Sequence, residues 1–218
     1  MRTTILRKTA LTIAAAAATA GGIAAPAITA HAAPATTTAQ VQADRKTGGE
    51  RQLPVRYQAQ ETFYYCGPAA ASNALSVQGK HIDQHEMAKR MGTTENGTDS
   101  INDITPILNK ETGKDVYKSV EIRDAKAATK QADKLRDDIV RTVDDGRAVV
   151  ANIAGTATDT NGTPHSFAGG HYISVTGYQN NGDTVTIADS ANPNQATYQM
   201  NTDTLANWIA TRGYSATS

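Results

Sequence analysis

The chain has 218 residues, with 21 Lys+Arg against 21 Asp+Glu and one cysteine. Balanced charge without a basic stripe gives no electrostatic footing for nucleic acid or an anionic membrane surface. A lone cysteine excludes an internal disulfide framework.

At the N-terminus, Arg2, Arg7 and Lys8 precede an alanine-rich apolar stretch that Gly21, Gly22 and Pro26 interrupt. This is the layout of a secretory signal peptide. The apolar run falls short of the roughly 20 continuous residues a membrane anchor needs. Ala30-His31-Ala32 offers a cleavage point, so residues 1–32 read as the signal and Ala33 as the mature start. Removing three basic and no acidic residues leaves 18 Lys+Arg against 21 Asp+Glu, a net charge of −3. Residues 33–52, with Gly48 and Gly49 in a Thr/Gln/Ala-rich run, read as a flexible linker or short pro-segment. Residues 53–218 are the size of one domain. The expected protein is secreted, extracellular and monomeric.

Along that domain, Leu53–Tyr57 reads as a strand and Cys66–Gly79 as a helix with Pro68 in its first turn. A second helix starts at the cap Asp83 and stops at Gly92, and a third runs from Ser100 to Gly113 with Pro106 as a possible kink. A strand near 116–120 precedes the longest helical pattern, between Asp124 and Gly146, in which Leu135, Ile139 and Val143 are spaced by four. The character then changes to β-branched and alternating runs at 147–153, 171–178, 183–189 and 196–200, closed by a helix near 204–212. Helices first and an antiparallel sheet afterwards make an α+β domain.

Cys66 lies at the N-terminal end of the first predicted helix, where the macrodipole favours a thiolate. Gly67 beside it leaves the backbone open to a substrate carbonyl. A thiolate nucleophile needs a base, an orienting group and oxyanion donors. His31 leaves with the signal. His81 and His85, with Glu86, suggest a metal site only faintly and read as an exposed helix edge; no metal or organic cofactor is expected. His165 reads as a solvent-facing loop residue. His171, preceded by Gly169 and Gly170 and followed by a strand, is the candidate base.

Residues 171–189 read as a hairpin. A three-residue loop, Asn180–Gly182, sets Val175 opposite Ile187 and gathers Ile173, Val175, Val185 and Ile187 on one face. His171 and Asp189 then become diagonal neighbours at its open end, about 7 to 8 Å apart in backbone and within side-chain reach. Such a carboxylate would fix the imidazole tautomer, although Asn192 could orient the ring instead. The Cys66 N–H is one oxyanion donor, and Gln58 and Gln60 both stand as candidates for the other.

The segments "QETFYYCGPAA", "GGHYISVTGY" and "IADSANP" resemble the three blocks of cysteine peptidase family thirty-nine, the bacteriocin-processing type of the papain-like superfamily. Over nearly the whole mature domain the chain resembles the secreted C39-like proteins of actinomycetes and related domains of phage lysins. The resemblance implies a papain-like fold with N-terminal helices packed on a C-terminal antiparallel sheet. It implies Cys66 as nucleophile, His171 as base, Asp189 as orienting acid and Gln60, six places before the cysteine, as the oxyanion amide. The departure is after Asp189, where Ser190 stands in place of the family's frequent proline and Pro193 comes later. Transporter-linked members trim leader peptides after paired glycines. This chain is expected to be exported without a transporter, so that substrate does not carry over. The implied activity is hydrolysis of peptide or isopeptide bonds in secreted proteins, small peptides or cell-wall stem peptides.

Overall fold

The computed structural model describes residues 45–47 and 49–218. The expected signal peptide and most of the expected linker lie outside the described residues. The linker's last residues do not form a linker: β1 (Arg45–Thr47) and β2 (Glu50–Gln52) pair with each other, and β2 continues onto the central sheet.

The helices that follow are delimited by local chemistry. α1 (Cys66–Ser76) carries Ala69, Ala70, Ala71 and Ala74 against its neighbours, and every residue from Gly67 onward is buried. The Asp83 carboxylate accepts from the N–H groups of His85 and Glu86 to start α2 (Gln84–Met91), which Gly92 ends in the left-handed conformation. α3 (Ile101–Thr112) opens with a capping box between Ser100 and Asp103 and closes on left-handed Gly113. Pro106 stands on the exposed side of α3 without ending it, so the carbonyl it leaves unbonded, that of Asn102, is at the surface.

The sheet is antiparallel throughout. β3 (Tyr117–Glu121) pairs with β8 (Gly213–Thr217), β8 with β4 (Val149–Thr158), β4 with the long β5 (Pro164–Gln179), β5 with β6 (Thr184–Ala188), and β6 with β7 (Thr197–Asn201). α4 (Thr129–Asp144) and α5 (Thr202–Ile209) complete the domain. Alternation along β4 sends Val149, Ala151 and Ile153 to one face, where α4 and α5 cover them, and Val150 to the other, under α1 and α3. Burial on both faces explains why residues 149–153 are continuously apolar or sequestered. Helices therefore cover both sides of the sheet rather than one.

Two expectations about the strands need correction. Leu53–Tyr57 is extended but is not a strand: the Leu53 N–H still bonds to the Thr176 carbonyl of β5 (2.9 Å), but after it Arg56 N–H donates to Ser76 Oγ (3.0 Å) and the adjoining Gln58 N–H to Asn73 Oδ1 (2.7 Å), both side chains of α1. The β5–β6 register follows the expected pairing only at the far end, where Val175 faces Ile187. Nearer the turn Tyr178 faces Val185, and a bulge between Val175 and Gly177 absorbs the extra residue of a loop that includes Asp183. β8 was not anticipated at all.

Candidate active site

The cleft is assembled from both halves of the chain. Cys66 is the first residue of α1 and is half-buried. Because Pro68 has no N–H, only Cys66 and Gly67 present unpaired donors before the first helical bond, Ala69 N–H to the Tyr65 carbonyl (2.8 Å). A Cβ on Gly67 would stand 2.5 Å from Thr98 Oγ1, so only glycine lets the helix start dock against the 93–98 loop. The Ser174 hydroxyl donates to the Ala70 carbonyl (2.7 Å) and fastens α1 to β5.

β5 brings His171 to the helix start. Between the pairs Ile153–His171 and Gly155–Phe167, one β4 residue opposes Ala168, Gly169 and Gly170, and Gly170 takes a φ of +97°. This wide irregularity re-aims the strand where the imidazole must point. His171 is 4% exposed. Its Nε2 meets Asp189 Oδ1 at 2.7 Å, and Cys66 lines the same small cavity as the ring and acts on its charge. Phe167 stacks on the imidazole with centroids 4.0 Å apart.

Asp189, directly after β6, is buried at 3% exposure. It accepts from the Ala191 N–H (2.9 Å) and the Tyr198 hydroxyl (2.8 Å) as well as from His171. Burial alone would disfavour charge on both partners. For His171 that penalty is outweighed by the hydrogen bonds and charges of Asp189 and Cys66, which push its pKa up to about 9. For Asp189 desolvation is likewise overcome, chiefly by the His171 hydrogen bond and charge, and its pKa is lowered. Burial, reinforced by the Asp189 charge, raises the Tyr57 pKa to about 12 and raises that of Tyr198. Both hydroxyls remain donors, to the carbonyl and the carboxylate of Asp189 respectively.

Gln60 is tied to the residue after Asp189. Its N–H donates to the Ser190 carbonyl (3.0 Å), and its Oε1 accepts from the Ser190 hydroxyl (3.2 Å). Its amide nitrogen donates to the carbonyls of Thr62 (2.9 Å) and Phe63 (3.2 Å). Gln84, 1% exposed, brackets it by accepting from the Glu61 N–H and donating to the Ala59 carbonyl.

A family model described as the Peptidase_C39 like family matches residues 52–216. The chain belongs to that family. Among solved structures, a putative C39-like peptidase from Bacillus anthracis is similar at TM-score 0.51 and 12% identity, covering 75% of this chain and 94% of that one. The peptidase domain of Streptococcus ComA, a bi-functional ABC transporter involved in a quorum-sensing pathway, matches at TM-score 0.47 and 16% identity, over 74% of this chain and 97% of that one. A search of curated proteins finds no match. The α+β papain-like fold is thus that of the C39-like peptidases.

In this C39-like chain the remaining candidates fall elsewhere. Asn192 is exposed and caps the turn at Asn194 rather than reaching the imidazole. His85 bonds through Nδ1 to the hydroxyl of the buried Tyr65 (2.8 Å). His165 is not a solvent-facing loop residue: it sits in β5 at 8% exposure, pairs with Asp159 (3.1 Å) and stacks on Tyr198 at 3.8 Å. Tyr198 and Phe167, both in contact with the His171–Asp189 pair, escaped the sequence reading. The alternating "ATYQM" run could place Tyr198 on a strand but not beside Asp189.

Proposed function

We propose that this protein is an exported thiol peptidase of the secreted actinomycete type, acting on peptide or isopeptide bonds outside the cell after residues 1–32 are removed. The observation that carries the reading is the buried His171 ring, bonded to Asp189 and lining one small cavity with Cys66 at the start of α1. In this mechanism Cys66 is the nucleophile, His171 the base and Asp189 the orienting acid. His171 takes the thiol proton, and the sulfur attacks the substrate carbonyl carbon. A C–S bond forms as the carbonyl π electrons move to oxygen. The Cys66 N–H stabilises that oxyanion, joined by the Gln60 amide when it releases the longer of its two bonds, that to the Phe63 carbonyl. Collapse breaks the C–N bond while His171 protonates the leaving amine. Water, deprotonated by His171, then cleaves the thioester.

The reaction calls on no metal or organic group, and a monomer suffices for it. Peptides, proteins and cell-wall stem peptides are the substrate classes it fits. The test compares wild type with Cys66→Ala on a peptide library and on purified cell wall. Cleavage that survives in the variant refutes the reading. One observation favours a second reading, that of an inert binding module: both N–H bonds of the Gln60 amide are already engaged. Iodoacetamide separates the two, since an inert module would label at Cys66 no faster than a free thiol. An acyl transferase sharing the thioester would instead yield a new amide when a primary amine is added.

A further inference from the structure

Next to the thiol a cavity of about 160 Å³ opens, lined among others by Cys66, His171, Thr98, Asn152, Tyr172 and Arg212. Most of its neutral polar groups are already committed to one another. Asn152 Nδ2 donates to the Tyr172 hydroxyl (3.0 Å), which donates to the Thr98 carbonyl (3.1 Å), and the Thr98 hydroxyl pairs with that of Thr93 (2.7 Å). Arg212 is different. Its Nε is shielded from solvent and has no hydrogen-bond partner, and among the described residues no carboxylate lies within ion-pair distance of its guanidinium. A guanidinium offers five N–H donors in a rigid fork matched to a carboxylate.

The backbone around Arg212 holds this arrangement firmly. Its N–H bonds to the Ile209 carbonyl (2.8 Å), and its carbonyl accepts from Ile122 N–H (2.9 Å). The turn between Ile209 and Arg212 passes through Ala210 at φ −49°, ψ 140° and Thr211 at φ +67°. Such a turn normally places glycine or asparagine at its third position. A β-branched residue there is strained, and strained backbone concentrates where a side chain must be aimed. On the opposite wall Gly170 leaves room for the guanidinium, since even a Cβ would come 3.4 Å from Arg212 Nη2.

We propose that Arg212 is a carboxylate-binding subsite beside the reactive thiol, so that preferred substrates carry an acidic group close to the scissile bond. This rests on the peptidase reading and narrows its substrate class. Asp99 lines the same cavity and is exposed. It opposes the anion in part, and Asp99→Asn strengthens the preference.

The test has two arms. First, Cys66 is alkylated with iodoacetate and, separately, with iodoacetamide, and the ratio of the two rates is compared between variants. Arg212→Gln lowers that ratio by about five-fold relative to wild type, whereas Arg212→Lys keeps it. Each ratio is internal to one protein, so a partly unfolded sample does not mimic the effect. Second, peptide amides differing by Glu or Gln at successive positions are compared by kcat/KM. Wild type prefers Glu by about ten-fold, Arg212→Gln loses the preference, and Arg212→Glu transfers it to Lys. Preference for free-acid over amide peptides assigns the carboxylate to a chain terminus instead of a side chain. An unchanged alkylation ratio together with an unchanged Glu preference in Arg212→Gln overturns the proposal. Labelling of Cys66 by iodoacetamide no faster than a free thiol, with no cleavage, overturns the peptidase reading while the alkylation ratio still reports on Arg212.

Discussion

Replacing Asp189 with asparagine keeps the shape of the buried carboxylate and removes its charge. In the wild type, Asp189 and Cys66 together lift His171 from 6.5 to about 9 against the cost of burial. That rise corresponds to about 3 kcal/mol favouring the imidazolium in the folded protein. A folded state that holds a proton more tightly than the unfolded one has this contribution in full below pH 6.5. It loses the contribution as pH climbs through about 9. Wild-type stability, measured by denaturant unfolding at intervals from pH 6 to 9.5, therefore falls by about 3 kcal/mol across that window. In Asp189→Asn the desolvation penalty faces one partner fewer, the His171 imidazole NMR signals titrate at or below 6.5, and most of the slope disappears. A wild-type His171 titrating near 6.5, or a slope that persists in Asp189→Asn, would refute this account of the pair.

Other substitutions report on other parts of the cleft. Gln60→Ala lowers kcat by about 10²- to 10³-fold if its amide serves the oxyanion, read by steady-state cleavage; a loss under about ten-fold leaves the Cys66 N–H as the principal donor. Thr211→Gly relieves the left-handed strain and raises Tm by about 2 to 4 °C in calorimetry; an unchanged or lower Tm shows the turn to be unstrained. Gly170→Ala, at a φ of +97° with the Ile153 carbonyl 3.6 Å from the new Cβ, destabilises by about 1–3 kcal/mol in denaturant unfolding. Tyr198→Phe removes the hydroxyl bonded to a buried carboxylate at 2.8 Å and costs about 1.5–3 kcal/mol in the same assay, with the His165 stack left in place.

What could be read from the sequence followed the range of the forces involved. The ends of α2 and α3 were legible because Asp83, Gly92, Ser100 and Gly113 act on backbone groups within a turn of themselves. The meeting of His171 and Asp189 was legible because an apolar face constrains strand register over several residues. The bulge that restores that register after the turn was not, since Thr176 looks like any other strand residue until its partner strand is placed. Leu53–Tyr57 misled for a related reason: its extended preference is real, but after Leu53 the hydrogen bonds of this stretch and of Gln58 beside it go to Ser76 and Asn73, twenty or fewer residues on, on a helix. β8, only five residues long and without a large aliphatic side chain, is a strand because β3 and β4 flank it. Arg212 stood in the sequence only as the end of a predicted helix, and it is the turn into β8 that brings it to the cavity beside Cys66.

The hairpin that carries His171 and delivers Asp189 leaves the ribosome more than a hundred residues after Cys66. Under the proposed mechanism, until β5 and β6 have zipped together the sulfur on the nascent polypeptide has no base beside it. On that reading, completion of the last strands would work as a built-in safety catch, arming the proposed peptidase only once it has taken its final shape.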